Sequence, residues 1–133
     1  MIEKKYRIRN KSKIVGYSNK ASVSTNTLSW DLGVPYDGVD AFVGLLDKNN
    51  RPIYEQDIVG FRLAKKGERQ KEGIVLWDEV SCAFGVLELE TSGFIPLEAF
   101  GFPMFFKSKL EVISHGFTHG LWIDKLVREY YNV

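Results

Sequence analysis

Apolar and polar residues alternate roughly from Lys4 to Tyr17, short apolar runs between turn signals follow, and only the last stretch changes to a helical period. Tyr6 and Ile8, then Ile14, Val15 and Tyr17, stand among Lys and Arg. That alternation predicts a half-exposed hairpin, with Asn10 to Lys13 as its turn. Residues 18 to 29 are small and polar without a period, and are expected to form a loop or a loosely ordered arm. Val34-Pro35 and Asp37-Gly38 are turn signals. Val39 to Leu45 reads as a strand. Asp47-Lys-Asn-Asn50 reads as a turn, because Asp and Asn bond their own backbone and tolerate positive φ. Pro52 opens the next segment, where a missing N–H is harmless, and a strand follows near Ile58. Residues 65 to 73 form a charged loop bounded by glycine. Ile74 to Trp77 and Ala83 to Leu89 are strands by their β-branched and aromatic content. Phe94 to Leu97 and Leu110 to Ile113 are shorter ones.

The period changes at the end. Trp122, Ile123, Leu126, Val127, Tyr130 and Tyr131 recur at helical spacing, with Asp124, Lys125, Arg128 and Glu129 between them. This is a short amphipathic helix. Alone it is marginal, so it needs an apolar surface on the body of the protein or on a second subunit. The expected fold is mostly β: a small twisted sheet or SH3-like barrel core, an N-terminal hairpin and arm, and a C-terminal amphipathic helix.

Composition narrows the picture further. The 133 residues fit one domain. With 44% hydrophobic and 26% charged residues the chain is of ordinary globular type. A net charge of +1 argues against a polyanion binder working by bulk charge, and weak self-repulsion permits self-association. One cysteine, Cys82, excludes an internal disulfide and is expected to be a buried, inert thiol. No run approaches the roughly 18 apolar residues of a membrane span. The start, Met1 to Arg7, lacks the apolar stretch of a secretory signal. A cytoplasmic location is expected.

Three blocks in order resemble the YopX family of phage and prophage proteins. The first is Val43-Gly-Leu-Leu-Asp-Lys-Asn-Asn-Arg-Pro-Ile-Tyr-Glu-Gln-Asp-Ile-Val59. It is similar to the family's Gly-Leu-x-Asp-Lys-Asn-Gly turn followed by Ile-Tyr-Glu-Gly-Asp-Ile-Val. The second is Glu72-Gly-Ile-Val-Leu-Trp-Asp78 with Cys82-Ala-Phe-Gly-Val86, and the third is Leu110-Glu-Val-Ile113. Gln56 stands where the family has Gly, and Ser114-His115 where it has Gly-Asn. The resemblance covers about residues 43 to 115. It divides the single domain into a hairpin and arm (1–42), a YopX-like core (43–115) and a helix (119–133). It implies a small phage-encoded β protein prone to homo-oligomerise, and it brings no catalytic residue.

Four sets of residues are candidates for chemistry or contact. Asp37, Asp40, Asp47 and Asp57 match no calcium loop, and their expected roles are turn, capping or solvated ones. His115 and His119 are four apart, but Gly116 and Gly120 weaken a helix there, and a metal site needs three or four ligands. No metal or other cofactor is therefore expected. Tyr54 and Trp77 could stack on a base, with Arg62, Lys65, Lys66, Arg69 and Lys71 on phosphate. Phe100-Gly-Phe-Pro-Met-Phe-Phe106 is either a subunit or partner interface, where aromatics and Met are enriched, or a buried crossover. Five of the nine Phe lie between Phe94 and Phe106.

There is no phosphate loop, nucleophile elbow or Cys-x-x-Cys pair. The expected function is a non-enzymatic phage accessory protein that binds and neutralises or redirects a host protein, with Phe102, Met104, Phe105, Phe106 and Trp122 as anchors. The alternatives are a nucleotide or nucleic-acid binder using Tyr54, Trp77, Lys65, Lys66 and Arg69, and a metal-dependent enzyme using His115 and His119.

Overall fold

The computed structural model describes residues 5–19, 38–62, 69–118 and 121–131. Within them the alternating segments become antiparallel strands: β1 (Tyr6–Asn10), β2 (Lys13–Ser18), β3 (Gly38–Leu46), β4 (Pro52–Tyr54), β5 (Asp57–Phe61), β6 (Lys71–Asp78), β7 (Ala83–Glu88), β8 (Phe94–Pro96), β9 (Glu98–Ala99), β10 (Phe102–Pro103) and β11 (Leu110–His115). The helical period becomes α1 (Leu121–Tyr131). The sheets are ordered β2-β1-β3-β4, β11-β5-β6-β7-β8 and β10-β9, and the main sheet curls into a half-barrel. The fold is mostly β with one short helix, as expected. No helix among the described residues is long and apolar enough to cross a membrane.

The five-stranded sheet buries apolar side chains on both faces. Val59 and Phe61 of β5, Val75 of β6, Val86 of β7 and Val112 of β11 join one cluster with Ile53, Leu97 and Phe105. Their neighbours Ile58, Ile74, Leu76 and Leu87 point the other way, into a second cluster completed by Ile123 of α1. A sheet covered on both faces needs continuous apolar runs, which is why Ile74-Val-Leu-Trp77 lacks alternation. The helix docks on this body, with Leu126, Val127 and Tyr130 packed against the second cluster. Tyr131 Oη donates to the Trp77 carbonyl at 2.8 Å.

Two turns keep the conformations their residues suggest. Asp47 Oδ1 accepts the backbone N–H groups of Asn49 and Arg51 at 2.9 Å each, and Asn50 takes φ 61°. Gln56, between β4 and β5, takes φ 73°. That is the left-handed region where glycine is natural, so the turn survives a side chain that strains it.

Several expectations change. The division at residue 43 falls inside β3, and β3 pairs with β1 as well as β4; hairpin and core therefore share a sheet. The charged loop ends earlier than expected, since Lys71 to Gly73 belong to β6. Cys82 is exposed rather than buried, at φ 52° in the loop that projects between β6 and β7. The arm at 20–29, the turn residues 31–37, Lys65, Lys66 and His119 lie outside the described residues.

Candidate contact surface

After β8 the chain leaves the main sheet as a small hairpin, here called the finger. Ala99 pairs with Phe102 and Glu98 with Pro103, leaving a two-residue loop, Phe100-Gly101. Both loop residues have positive φ, 53° and 81°. That pattern belongs to hairpin turns of type I′, which favour Asn, Asp or Gly at both positions. Gly101 suits it; Phe100 does not. Phe100 is also 99% exposed. An aromatic residue therefore occupies a backbone position that disfavours it, at the most solvated point of the finger.

In the rest of the segment only Phe105 turns inward. Phe102 is 72% exposed, Met104 40% and Phe106 54%, whereas Phe105 is 6% exposed. Phe105 packs edge-on against Phe61 at a centroid distance of 5.3 Å. Leu97 is buried at the root, its N–H donating to the Phe84 carbonyl at 3.0 Å and its carbonyl accepting from Met104 at 2.9 Å. The finger is thus anchored by Leu97 and Phe105 while it presents Phe100, Phe102, Met104 and Phe106. The choice between interface and buried crossover resolves residue by residue. Phe105, expected as a contact anchor, is core, because it must fill the space above Phe61. Trp122 lies in α1 and not in the finger. Phe100 was part of the expected contact segment but not one of its expected anchors; the signal available was a Phe-Gly pair as a two-residue loop between Glu98-Ala99 and Phe102-Pro103.

Beside the root of the finger lies an open groove of about 380 Å³. Val43, Leu45, Trp77, Phe84 and Leu97 line it, with Cys82 and Glu98 at its margin. Trp77 and Phe84 meet edge to face at 4.8 Å. Tyr54, the other aromatic expected to stack on a base, is only 3% exposed and lies beneath Phe42 and Tyr17. Burial removes Tyr54 as a stacking platform. Arg69 is exposed and pairs with Glu90 at 3.7 Å.

Asp40 and Asp57 are the largest departure from expectation, each 1% exposed. Asp47, also buried, keeps its expected turn role. Strand register explains the other two. Arg7 of β1 lies opposite Asp40 of β3, and His115 of β11 opposite Asp57 of β5. The Arg7 guanidinium, 2% exposed, donates from Nε and Nη2 to Asp40 (3.1 and 3.0 Å), from Nη2 to the Glu55 carbonyl (2.9 Å) and from Nη1 to Asp57. Its carbon lies 5.1 Å from the ring centres of both Tyr54 and Phe117. Arg9 adds a second cation on Asp40 at 3.1 Å. Asp57 Oδ2 accepts the Tyr54 N–H at 2.9 Å, and its Oδ1 lies 2.8 Å from His115 Nδ1.

Electrostatics in this cluster follow burial. Desolvation pushes the Asp40 carboxyl above its ordinary range, opposed by Arg7 and Arg9. Desolvation also raises Glu55, against the Ala41 N–H that its carboxylate accepts at 3.1 Å, and nearby Asp40 adds to the rise. Among the described residues no buried side-chain nitrogen or oxygen lacks a partner, and no group of three His, Cys, Asp or Glu could hold a metal. The Arg7 cluster is a closed ionic joint between the two larger sheets. With His115 turned to Asp57, the expected His115–His119 pair has one member in this joint.

Compared with models of known protein families and with curated proteins, the chain finds no match.

Proposed function

We propose that this chain is a non-enzymatic, phage- or prophage-encoded accessory protein that grips a host protein with the finger and so occludes or redirects it. The observation that carries the reading is Phe100: fully exposed, aromatic and in a left-handed conformation. Such strain costs about 1–3 kcal/mol and concentrates where function requires it. Nothing within the described fold offsets either the strain or the exposure. Burial in an apolar pocket of a partner offsets the exposure, at roughly 1.5–3 kcal/mol for each Phe side chain. Aromatic side chains clustered in this way are typical binding anchors. The resemblance of residues 43 to 115 to YopX proteins supplies the phage setting.

The test is site-specific photocrosslinking in the producing cell. A photoreactive residue at position 100 should give one discrete protein adduct. The same residue at position 129, on the exposed side of α1, should give none. A ladder of unrelated adducts at both positions, or none at either, overturns the reading. An adduct of twice the chain mass instead means that a second copy takes the finger, its groove at Trp77 and Phe84 being the pocket. Sedimentation of the purified wild type against Phe100→Ser/Phe102→Ser decides that outcome.

A further inference from the structure

A different cleft, of about 370 Å³, opens where β5, β6 and β11 meet the β3–β4 turn. Its lining is polar and includes three cations, Lys48, Arg62 and Lys109, with one carboxylate, Glu111. Both oxygens of that carboxylate are engaged. Lys48 Nζ lies 3.3 Å from Oε1, and Asn49 Nδ2 donates to Oε2 at 3.4 Å. Among the described residues neither Arg62 nor Lys109 meets a carboxylate. The backbone holds the two together, the Arg62 N–H donating to the Lys109 carbonyl at 3.1 Å.

The floor is built as well. The side-chain amide of Gln70 lies against Gly60, where an added Cβ would come within 2.2 Å of its nitrogen. Glycine at that position makes room for an amide donor beside the two cations. Ser108 adds a hydroxyl to the lining. Among the described residues no aromatic side chain lines the cleft, so they offer no surface on which a base could stack.

We propose that this cleft binds a phosphoryl group, with Arg62 and Lys109 as its charged partners and Gln70 and Ser108 as neutral donors. Guanidinium recognises phosphate oxygens in pairs, while ammonium acts as a point charge. The volume suits a small ligand. The ligand is read by its phosphate and not by its base, and is either a free phosphate compound or the backbone of a single-stranded nucleic acid. This site shares Arg62 with the phosphate-contacting set expected from the sequence, but it is formed without Tyr54, Trp77 or Arg69, and it is independent of the finger.

Two probes test it on the whole protein. Inorganic pyrophosphate is followed by its effect on melting temperature, and a labelled single-stranded oligonucleotide by fluorescence anisotropy across a salt series. At low salt at least one probe should bind. Arg62→Ala/Lys109→Ala should weaken it about tenfold or more, and should lower the oligonucleotide's log–log salt slope by about 2. Both side chains are exposed, so the variant should melt like the wild type. If it does not, Arg62→Gln alone is used. Binding of pyrophosphate assigns a small ligand, and binding of the oligonucleotide alone assigns the backbone. No binding of either probe, or equal binding by wild type and variant, overturns the proposal. Phe100→Gly should leave binding unchanged, which separates this site from the finger.

Discussion

Arg7 and Phe100 break the usual distribution of side chains in opposite directions. Arg7 is a charge 2% exposed; Phe100 is an aromatic ring 99% exposed. Around Arg7 the chain supplies compensation: two carboxylates, a backbone carbonyl and two aromatic faces. Around Phe100 it supplies none and adds left-handed backbone. A buried charge with partners is explained by the molecule itself. An exposed ring on strained backbone points outside it. On the proposed function, the two regions separate what holds this protein together from what it presents to a partner.

The contrast can be broken most severely from the inside. Arg7→Ala should cost about 3–5 kcal/mol, because it breaks a buried ion pair and leaves Asp40 with Arg9 alone and Asp57 with only the Tyr54 N–H and His115. Chemical denaturation checks this, and a loss below about 1 kcal/mol would make the joint no more than a surface ion pair. Next comes Asp47→Ala. It removes acceptors from three backbone N–H groups, those of Asn49, Arg51 and Val112. A loss of about 2–3 kcal/mol is expected, read by the same denaturation.

The finger should respond with the opposite sign. Phe100→Gly relieves the left-handed strain and should raise stability by about 1 kcal/mol, while abolishing the adduct formed by a photoreactive residue at position 102. A variant that is more stable and equally able to bind would remove Phe100 from the contact. Gln56→Gly relieves the same kind of strain at φ 73° and should stabilise by about 0.5–1 kcal/mol with binding untouched.

The smallest effect is on pH dependence. Asp40 and Glu55 both have raised folded-state values. A raised group binds its proton more tightly in the folded state, so its contribution is full below the unfolded pKa and is lost as pH rises through the folded one. The ordinary values are 3.8 and 4.5, so the contribution from these two groups should grow as pH falls from neutral toward 4. Denaturation of wild type and Asp40→Asn/Glu55→Gln at several pH values checks it. Parallel stability profiles would show that burial of these carboxyls is not proton-linked.

Much of the architecture was legible because it is local. Period-two alternation located the N-terminal hairpin, β-branched and aromatic runs located β6 and β7, Asp47 to Asn50 declared a turn, and the apolar stripe from Ile123 to Tyr130 declared α1 and its docking face. These signals depend on near neighbours in the chain. The finger was legible in part: the excess of Phe between Phe94 and Phe106 marked the segment, but not which rings face water. Phe105 went inward because Phe61 lies below it, and Phe61 is 44 positions away, a contact that no local pattern encodes.

By itself, then, the sequence determined a mostly β chain with a terminal amphipathic helix and an aromatic-rich segment suited to contact, since side-chain period and turn chemistry act over a few residues. Tertiary structure decided the roles of the charged residues. Asp40 looked like a solvated or capping carboxylate until β1–β3 register set it opposite Arg7, and His115, for which no metal role was expected, gained a role only when β11–β5 register set it opposite Asp57. Register is a property of two strands at once. It follows from burying whole faces together, and a charge placed by it must find its partner across the sheet.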